Sequence, residues 1–271
     1  MKYHVLVPYW NCADYIGDTV HNLRYTINDR EDVIVHFLDD ASDAATQKRF
    51  SEALDLVEFE YTYDRNKENL GTLLNLYNGA LKYGDPMDVM IQVDGDGDVL
   101  WFSDYFEFMD MCFRDEIWAV GGLSVNSKNV IEFGTYSTEF TRREGWCCFH
   151  PRTWRHFLME KIPKKSIIDP RTKEYYRLGS DCFLYWPILE MCGPDRIVYL
   201  NTVLYQRNTL NPLNVGKSGN DRYIRDTLLA RLEKERPFNR LKSPFDKPRR
   251  SMKKRVYTWT HDNIETKMRI N

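Results

Sequence analysis

The stretch VMIQVDGDGD, residues 89–98, decides the fold class of this 271-residue chain. It joins a short uncharged run to three aspartates that are separated by single glycines. A run of this length between turn signals is typical of a buried strand. The stretch therefore predicts a core strand whose carboxyl end carries a cluster of negative charge.

The sequence before this stretch alternates between strand-like and helix-like patterns. Strands separated by helices form crossover units in a mostly parallel sheet. We therefore predict an α/β fold with a mostly parallel sheet flanked by helices, and such sheets bind ligands at the carboxyl ends of their strands. The predicted strands are residues 5–7, 33–38, 59–63 and 89–93, and the predicted helices are residues 13–25, 44–56 and 70–82.

The second half of the chain has a weaker pattern. Residues 118–122 predict a strand that ends in a tight turn, and residues 181–192 predict a helix that Gly-Pro ends. Two short apolar runs at 197–200 and 203–205 predict edge strands. The α/β pattern therefore ends near residue 215.

Charge is unevenly distributed along the chain. The whole sequence has 38 basic and 40 acidic side chains, which excludes a uniformly basic nucleic-acid coat protein. Residues 231–256, however, hold 11 basic and 3 acidic residues. We expect a domain over 1–215 and a helical, basic extension over 216–271. The extension is either a solvated arm or a contact for a polyanion such as nucleic acid.

Features of targeting and redox chemistry predict a cytoplasmic protein, in the host cytoplasm if the chain is viral. The sequence contains no run of 18 apolar residues, so no membrane span is predicted. The N-terminus lacks the apolar core of a secretory signal. The six cysteines form no CxxC pair, so we expect structural thiols in a reducing compartment.

The three aspartates at 94, 96 and 98 are the strongest chemical signal. Alternate side chains of an extended segment share a face, so like charges are crowded there. A hard divalent cation relieves that repulsion, and Mg²⁺ or Mn²⁺ bound by one or two carboxylates takes its other ligands from water and phosphate. A calcium loop of the EF-hand type is disfavoured, because Val99 stands where that loop needs glycine. An acidic turn without a ligand is the remaining alternative.

An ordered set of motifs over residues 3–210 resembles the inverting glycosyltransferases of the GT-A fold, in the large family 2 group. Ala41 replaces a glycine of the family pattern, Ser180 stands where glutamate is common, and Asn208 stands where histidine is common. The matching segments are Pro8-Tyr9-Trp10-Asn11, Asp39-Asp40-Ala41-Ser42-Asp43, Asn66 with Asn69-Leu70-Gly71, Val93-Asp94-Gly95-Asp96, Gly179-Ser180-Asp181 and Tyr205-Gln206-Arg207-Asn208.

The resemblance implies a role for each matching position. It implies a nucleotide-sugar half over 1–100, an acceptor half over 101–215, and Asp39 or Asp40 bound to a uracil ring. It also implies Mn²⁺ or Mg²⁺ at the Asp-x-Asp motif. The nucleotide-binding residues implied or suggested are Pro8, Tyr9, Asn11, Asp39, Asp40, Arg65, Asn69, Gly71 and Asp94; Lys67 is an alternative to Arg65 at the diphosphate.

The metal and the general base are assigned by the same resemblance. Asp96 with Asp94 would hold the metal, and Asn208 occupies the position of a third ligand. His150 and His156 are alternatives to Asn208. Asp181 is the expected catalytic base, with Glu174 and Glu144 as fallbacks, and Asp43 is also placed to cap the helix that starts near Ala44.

The expected function is transfer of a sugar from a UDP-sugar to an acceptor hydroxyl. The acceptor is a glycan or, given the basic extension, a hydroxymethylated DNA base of the kind that phage enzymes modify. A nucleotidyltransferase on a similar sheet is one alternative, although residues 8–17 lack a Gly-rich phosphate loop. A non-catalytic binder of nucleic acid or carbohydrate is the other, and it leaves the three aspartates unexplained.

Overall fold

The computed structural model describes residues 1–114, 116–132, 150–177, 179–212 and 237–248. These residues form an α/β fold in which helices pack on both faces of one mixed sheet. The strands are β1 (Tyr3–Tyr9), β2 (Val33–Asp39), β3 (Glu60–Arg65), β4 (Val89–Gln92), β5 (Val99–Leu100), β6 (Ala119–Asn126), β7 (Ile131–Glu132), β8 (Arg152–Arg155) and β9 (Ile197–Arg207). The helices are α1 (Ile16–Ile27), α2 (Ala44–Leu54), α3 (Thr72–Lys82), α4 (Tyr105–Cys112), α5 (Phe157–Glu160) and α6 (Ser180–Cys192).

All described strands belong to one sheet, with the order β3-β2-β1-β4-β8-β6-β9-β5 and β7 paired to β6. The first four strands are parallel, which confirms the crossover pattern of residues 1–93. The second half adds antiparallel pairs at β4/β8, β6/β8 and β5/β9. The carboxyl ends of β1, β2 and β4 therefore share one edge, which we call the site edge.

Two apolar layers cover the two faces of the sheet. One layer packs α3, α5 and α6 against Leu6, Met90 and Trp154. The other packs α1, α2 and α4 against side chains such as Val5 and Phe37. Because β1 alternates its side chains between the two faces, neighbouring residues of one strand belong to opposite layers. Trp154 is fully buried, so it packs the core.

Strand β9 differs from the sequence expectation. The two predicted edge strands are one continuous strand, and it lies inside the sheet between β6 and β5. Register shifts opposite Gly121 to Ser124 accommodate this long strand next to β6. The polar residues Asn201 and Thr202, which separate the apolar runs, are exposed within the strand.

Part of the C-terminal extension packs on the domain. Phe238 and Leu241 are buried in the α3–α5–α6 layer, and Leu241 N–H donates to the carbonyl of Met191. Arg196 donates to the carbonyls of Leu241 and Lys242. Residues 237–242 therefore dock at the carboxyl-terminal end of α6. The rest of the predicted helical and basic extension lies outside the described residues.

A pair of stacked histidines is buried at the sheet edge opposite the site edge. The Nδ1 of His4 lies 2.8 Å from the Nε2 of His36, and the rings stack. The outer nitrogens lie 3.2 Å from Asp88 Oδ2 and 2.8 Å from Thr62 Oγ1. Two neutral rings satisfy every one of these contacts. Burial lowers the pKa of His36 to about 3, and His4 adds to the effect.

Two further expectations can be compared with the described residues. None of their helices combines the length and the hydrophobicity needed to cross a membrane. Cysteines 12, 112, 182 and 192 are free thiols, as expected. Cys147 and Cys148 lie outside the described residues.

Candidate active site

The acidic cluster lies at the site edge, directly after β4. The N–H of Asp94 donates to the hydroxyl of Tyr205 at 3.0 Å, and its Oδ1 accepts from the side chain of Gln92 at 2.6 Å. The Asp94 side chain is 29% exposed. Strand β9 supplies Tyr205, so the second half of the sheet holds the cluster in place.

Two glycines make the turn through the cluster possible. A Cβ on Gly95 would lie 2.7 Å from Tyr9 Cβ, which is closer than side-chain carbons approach. Gly97 has a φ of +97° and faces Asn208. Only glycine adopts such a backbone without strain. The two glycines let three aspartates follow a buried strand within five residues.

Three possible metal ligands converge in this turn. One carboxylate oxygen each from Asp94 and Asp98 and one ring nitrogen of His150 lie within 4.8 Å of one another. The Nε2 of His150 is 3.4 Å from Asp94 Oδ2. The imidazole ring stacks on Tyr205 with 4.5 Å between the ring centroids, which fixes its plane. Among the alternatives to Asn208, His150 lies at the site, whereas His156 lies at the far end of β8.

The electrostatics of the cluster follow from burial and from like charges. Burial raises the pKa of Asp96 to about 6, and the charge of Asp94 adds to this shift. Burial, with the charges of Asp96 and Asp94, raises the pKa of Asp98 well above its ordinary value. Burial also opposes ionisation of Asp94, but His150 and Arg152 outweigh it and lower the pKa. Burial, with the charge of Arg152, lowers the pKa of His150 to about 4.

These properties fit a divalent metal ion. Carboxylate oxygens suit Mg²⁺ and Mn²⁺, and a neutral imidazole nitrogen among them favours Mn²⁺ over Mg²⁺. His150 is neutral at pH 7, so its ring nitrogen is available as a ligand. Burial and repulsion both raise the pKa of Asp96 and Asp98, and a cation at this place would offset both by favouring the charged carboxylates.

Asp96 and Asn208 have other contacts in this structure. Asp96 Oδ2 accepts from the side chain of Asn211 at 3.1 Å. The Asn208 side chain donates to the carbonyl of Asp96 at 2.7 Å, and its Oδ1 accepts from Leu210 N–H. The N–H of Asn208 donates to Asp98. These bonds fix the loop after β9 to the acidic turn, and the metal-ligand role of Asn208 stays a prediction.

Asp39 is fully buried at the end of β2 and already has three hydrogen bonds. Its Oδ1 accepts from Ser42 N–H at 2.8 Å. Its Oδ2 accepts from the Tyr63 hydroxyl and from Nε of Arg65, both at 3.0 Å. Arg65 also donates to the carbonyl of Ser42. In this structure Arg65 therefore braces Asp39 and the turn that follows it.

Asp40 organises the segment that leads into α3. Its Oδ1 accepts from Asn66 and from Leu70 N–H, and its Oδ2 accepts from Gly71 N–H, each at 2.8 Å. The carboxylate thus holds the start of α3 against the end of β2. Ala41, next to it, has a φ of +63°. This left-handed backbone explains why glycine is favoured at that position in the resembling family.

Aromatic residues at the end of β1 divide between core and surface. Tyr9 is 4% exposed and packs on Phe50, whereas Trp10 is 43% exposed. The carbonyl of Pro8 accepts from Gly95 N–H, which joins β1 to the acidic turn. Asn11 has a φ of +46° and its Oδ1 accepts from Asp43 N–H. Sequence reasoning gave Trp10 no role, and only its exposure at the site edge draws attention to it.

Asp43 has the capping role that the sequence suggests. Its side chain accepts from Thr46 N–H at 2.8 Å, which satisfies a free donor in the first turn of α2. This hydrogen bond lowers the pKa of Asp43. The residue thus explains where α2 begins.

The predicted base lies at the start of α6. Asp181 is the second residue of this helix, and its side chain lies outside the described part of the structure. Glu174, a fallback base, is exposed on the segment before α6, and Glu144 falls outside the described residues. Arg177 reaches from the same segment to Asn69, whose carbonyl and Oδ1 it bonds at 2.7 and 2.8 Å. The segment before α6 therefore touches the predicted nucleotide-binding segment.

Solved structures with a similar architecture include complexes with UDP, UDP-GlcNAc and GDP-Man. S. aureus TarS 1-349 in complex with UDP-GlcNAc has a TM-score of 0.60 and 16% identity, over 86% of this chain and 66% of that one. Its complex with UDP has a TM-score of 0.57 and 15% identity, over 86% and 65%. The mannosyltransferase PcManGT from Pyrobaculum calidifontis, in complex with GDP-Man and Mn²⁺, has a TM-score of 0.59 and 17% identity, over 86% and 62%.

The chain has the GT-A fold. It spans a little under two thirds of the length of these chains. No protein-family model matches the sequence, and no curated protein matches it either. At 15–17% identity the likeness concerns the fold.

Proposed function

We propose that this protein is a metal-dependent glycosyltransferase that uses a UDP-sugar. The observation that carries the proposal is the cluster of Asp94, Asp98 and His150 at the carboxyl end of a central strand of a GT-A sheet. The solved structures that share this fold are described with UDP, with UDP-GlcNAc, or with GDP-Man and Mn²⁺. A nucleotide diphosphate supplies the oxygen ligands that a partly protein-bound metal lacks.

The nucleoside would lie across the ends of β1 and β2. Trp10 offers an exposed ring there for stacking on a base. Asp39 and Asp40 each accept three hydrogen bonds, so a carboxylate with four lone-pair sites retains one for a uracil N–H. The resemblance to UDP-dependent enzymes and these buried acceptors both support uracil.

The donor reacts because its leaving group is a diphosphate. Negative charge develops on that group as the bond to the sugar breaks, and a bound Mn²⁺ supplies the positive charge that stabilises it. Asp94, Asp98 and His150 would hold the metal together with Asp96, the ligand that the resemblance implies. Arg207 adds a fixed positive charge nearby, and it is paired with Glu132 at 3.0 Å.

The acceptor would be activated by Asp181. Its carboxylate takes the proton of the acceptor hydroxyl as that oxygen attacks the anomeric carbon. The new C–O bond forms on the face opposite the breaking bond to the diphosphate, UDP leaves, and the anomeric centre is inverted. No covalent intermediate on the protein is needed. The position of Asp181 at the start of α6 supports this role.

The acceptor is a glycan or a hydroxymethylated DNA base. Residues 161–177, which lead into α6, hold six basic and two acidic residues. A basic surface next to the site favours an anionic acceptor chain. The exposed cations of this segment are Lys164, Lys165, Arg171, Lys173 and Arg177.

The proposal is tested by product analysis with UDP-glucose and UDP-GlcNAc. Wild-type protein with Mn²⁺ should release UDP, and the Asp96→Ala variant should release at least a hundredfold less. An Asp29→Asn variant, changed at an exposed carboxylate, should behave as wild type. Release of pyrophosphate instead of UDP would identify the nucleotidyltransferase alternative. Folded protein that binds neither nucleotide would favour the non-catalytic alternative.

A further inference from the structure

We propose that two contacts position helix α6 against the donor site, one through Tyr185 and one through Arg177. They tie the helix that carries the proposed base to the metal strand and to the nucleotide segment. Both residues would be positioning residues; Tyr185 has no role in the function proposed above, and Arg177 enters it only as one cation of the basic segment. The inference rests on that proposed function.

The first contact is a buried hydrogen-bonded chain from α6 to the acidic cluster. The Tyr185 hydroxyl donates to Gln92 Oε1 at 3.3 Å. The side-chain amide of Gln92 donates to Asp94 Oδ1 at 2.6 Å. Gln92 is 1% exposed and Tyr185 is 4% exposed. A buried glutamine with both ends bonded has one orientation, so the position of Asp94 and that of α6 depend on each other.

The surroundings of Tyr185 hold its ring rigidly. Trp154 packs edge-on against it at 5.2 Å, and the Arg152 guanidinium lies 5.0 Å from the ring centre. Trp154 comes from β8, the strand that pairs with β4. The ring therefore cannot move without a shift of the strand next to the metal strand.

The second contact joins the segment before α6 to the nucleotide segment. Arg177 donates twice to Asn69, and its Cα lies 3.4 Å from where a Cβ on Gly71 would be. The next two N–H groups after Asn69, those of Leu70 and Gly71, are held by Asp40. A chain of contacts thus runs from the end of β2 to the entrance of α6. Both oxygens of Asn69 that Arg177 contacts, the backbone carbonyl and Oδ1, are uncharged. The contact is therefore a pair of hydrogen bonds and not an ion pair.

Position 181 lies between the two contacts. It is four residues before Tyr185, and positions four apart lie on one face of a helix, about 6 Å along its axis. It is also four residues after Arg177. Fixing both ends of this interval fixes the distance from the proposed base to the metal site. Misplacement of a reacting group by 1 Å can cost about a hundredfold in rate.

The test compares three variants that differ in what they disconnect. Tyr185→Phe breaks the bond to Gln92 but leaves Gln92 on Asp94, so kcat should fall about 10- to 100-fold while the Kd for Mn²⁺ and for UDP change less than threefold. Gln92→Leu also releases Asp94, so the Kd for Mn²⁺ should rise about tenfold. Tyr77→Phe is the matched control. Tyr77 lies on α3, and its buried hydroxyl donates to the carbonyl of Ile162 at 2.8 Å. Its kcat should stay within twofold of wild type.

Arg177→Ala should lower kcat about tenfold. Arg177→Lys should restore part of the loss, since a single nitrogen of Arg177, Nη2, makes both bonds to Asn69 and an ammonium also has several donors on one nitrogen. Arg49→Ala, at an exposed arginine of α2, is the control. A readout independent of turnover is amide hydrogen exchange of residues 180–186. Addition of Mn²⁺ and UDP should slow it in wild type and in Tyr77→Phe, but not in Tyr185→Phe.

The outcomes separate the two claims. Wild type that binds Mn²⁺ and UDP and transfers sugar, with Tyr185→Phe indistinguishable from Tyr77→Phe, overturns the positioning role and leaves the proposed function standing. Wild type without Mn²⁺-dependent UDP binding overturns both. An equal loss of stability, activity and metal affinity in Tyr185→Phe and Tyr77→Phe would assign Tyr185 to packing alone.

Discussion

Replacement of Asp96 by asparagine should stabilise the metal-free protein and abolish its response to Mn²⁺. Burial of the carboxyl raises the pKa of Asp96 from 3.8 to about 6, and repulsion from Asp94 adds to the shift. A carboxyl whose folded pKa is raised contributes no repulsion below about pH 4 and its full cost above about pH 6. The neutral amide keeps the shape of the side chain and can still accept from Asn211.

The size of the effect follows from the shift. Two pKa units correspond to about 3 kcal/mol at most. Asp96 is partly exposed, so water screens some of the repulsion and we expect about 1–3 kcal/mol at pH 7.5. For a chain of this size that is a rise in Tm of roughly 2 to 5 °C. Mn²⁺ at a hundred times its Kd should stabilise wild type by about 2.7 kcal/mol.

The assay is thermal unfolding at pH 7.5 and pH 4, with EDTA or with Mn²⁺. At pH 7.5 in EDTA, Asp96→Asn should melt above wild type, and at pH 4 the two should coincide. Mn²⁺ should raise the Tm of wild type but not that of Asp96→Asn. Asp29→Asn, at an exposed carboxylate, controls for the loss of a charge. A variant that melts at or below wild type at pH 7.5, or that still responds to Mn²⁺, would refute the electrostatic reasoning.

Three other predictions concern separate parts of the molecule. The pKa of His36 falls to about 3 in the folded state, so its contribution to stability is complete above pH 6.5 and is lost on acidification, by about 1.4 kcal/mol per pH unit between those values. The free energy of unfolding, measured with urea at several pH values, should therefore depend less on pH in His36→Gln than in wild type. Deletion of 236–271 should lower the Tm by several degrees in a thermal melt, because Phe238 and Leu241 are buried in the domain. His150→Ala should weaken Mn²⁺ binding at least tenfold by calorimetry and change Mg²⁺ binding less, since imidazole prefers transition metals.

Regular periodicity made the first half of the fold predictable. Residues 89–93 form a short run that is apolar except for Gln92, and β4 follows this run almost residue for residue, with the acidic turn where the run ends. Helix α2 begins where Asp43 can cap it. These features are local, so they can be read from neighbouring residues.

The features that were missed depend on contacts between distant residues. Strand β9 was taken for two edge strands because exposed residues interrupt its apolar pattern, and its place inside the sheet depends on β6 and β5. His150, which the sequence offered only as an alternative to Asn208, joins Asp94 from 56 residues away, and nothing in the residues around it indicates a ligand. Likewise the bonds of Gln92 and Arg177 become visible only in three dimensions.

The site predictions also divide into features that are local in the sequence and features that depend on contacts between distant residues. The strand pattern placed Asp94, Asp96 and Asp98 at the carboxyl end of the fourth predicted strand, and the structure has them directly after β4. Motif order could not tell that Asp39 and Asp40 would each be buried with three hydrogen bonds. Their role in holding the turns and their proposed role toward uracil are compatible, and nucleotide binding decides the second.

The most direct measurement is a calorimetric titration of UDP into the wild-type protein with Mn²⁺ and with EDTA, with GDP as the comparison nucleotide. The account predicts micromolar binding of UDP with Mn²⁺, weaker binding of GDP, and loss of UDP binding in EDTA and in Asp96→Ala. Binding of GDP in preference to UDP would correct the base and keep the donor site. Folded wild-type protein that binds neither nucleotide with Mn²⁺ would contradict the central claim.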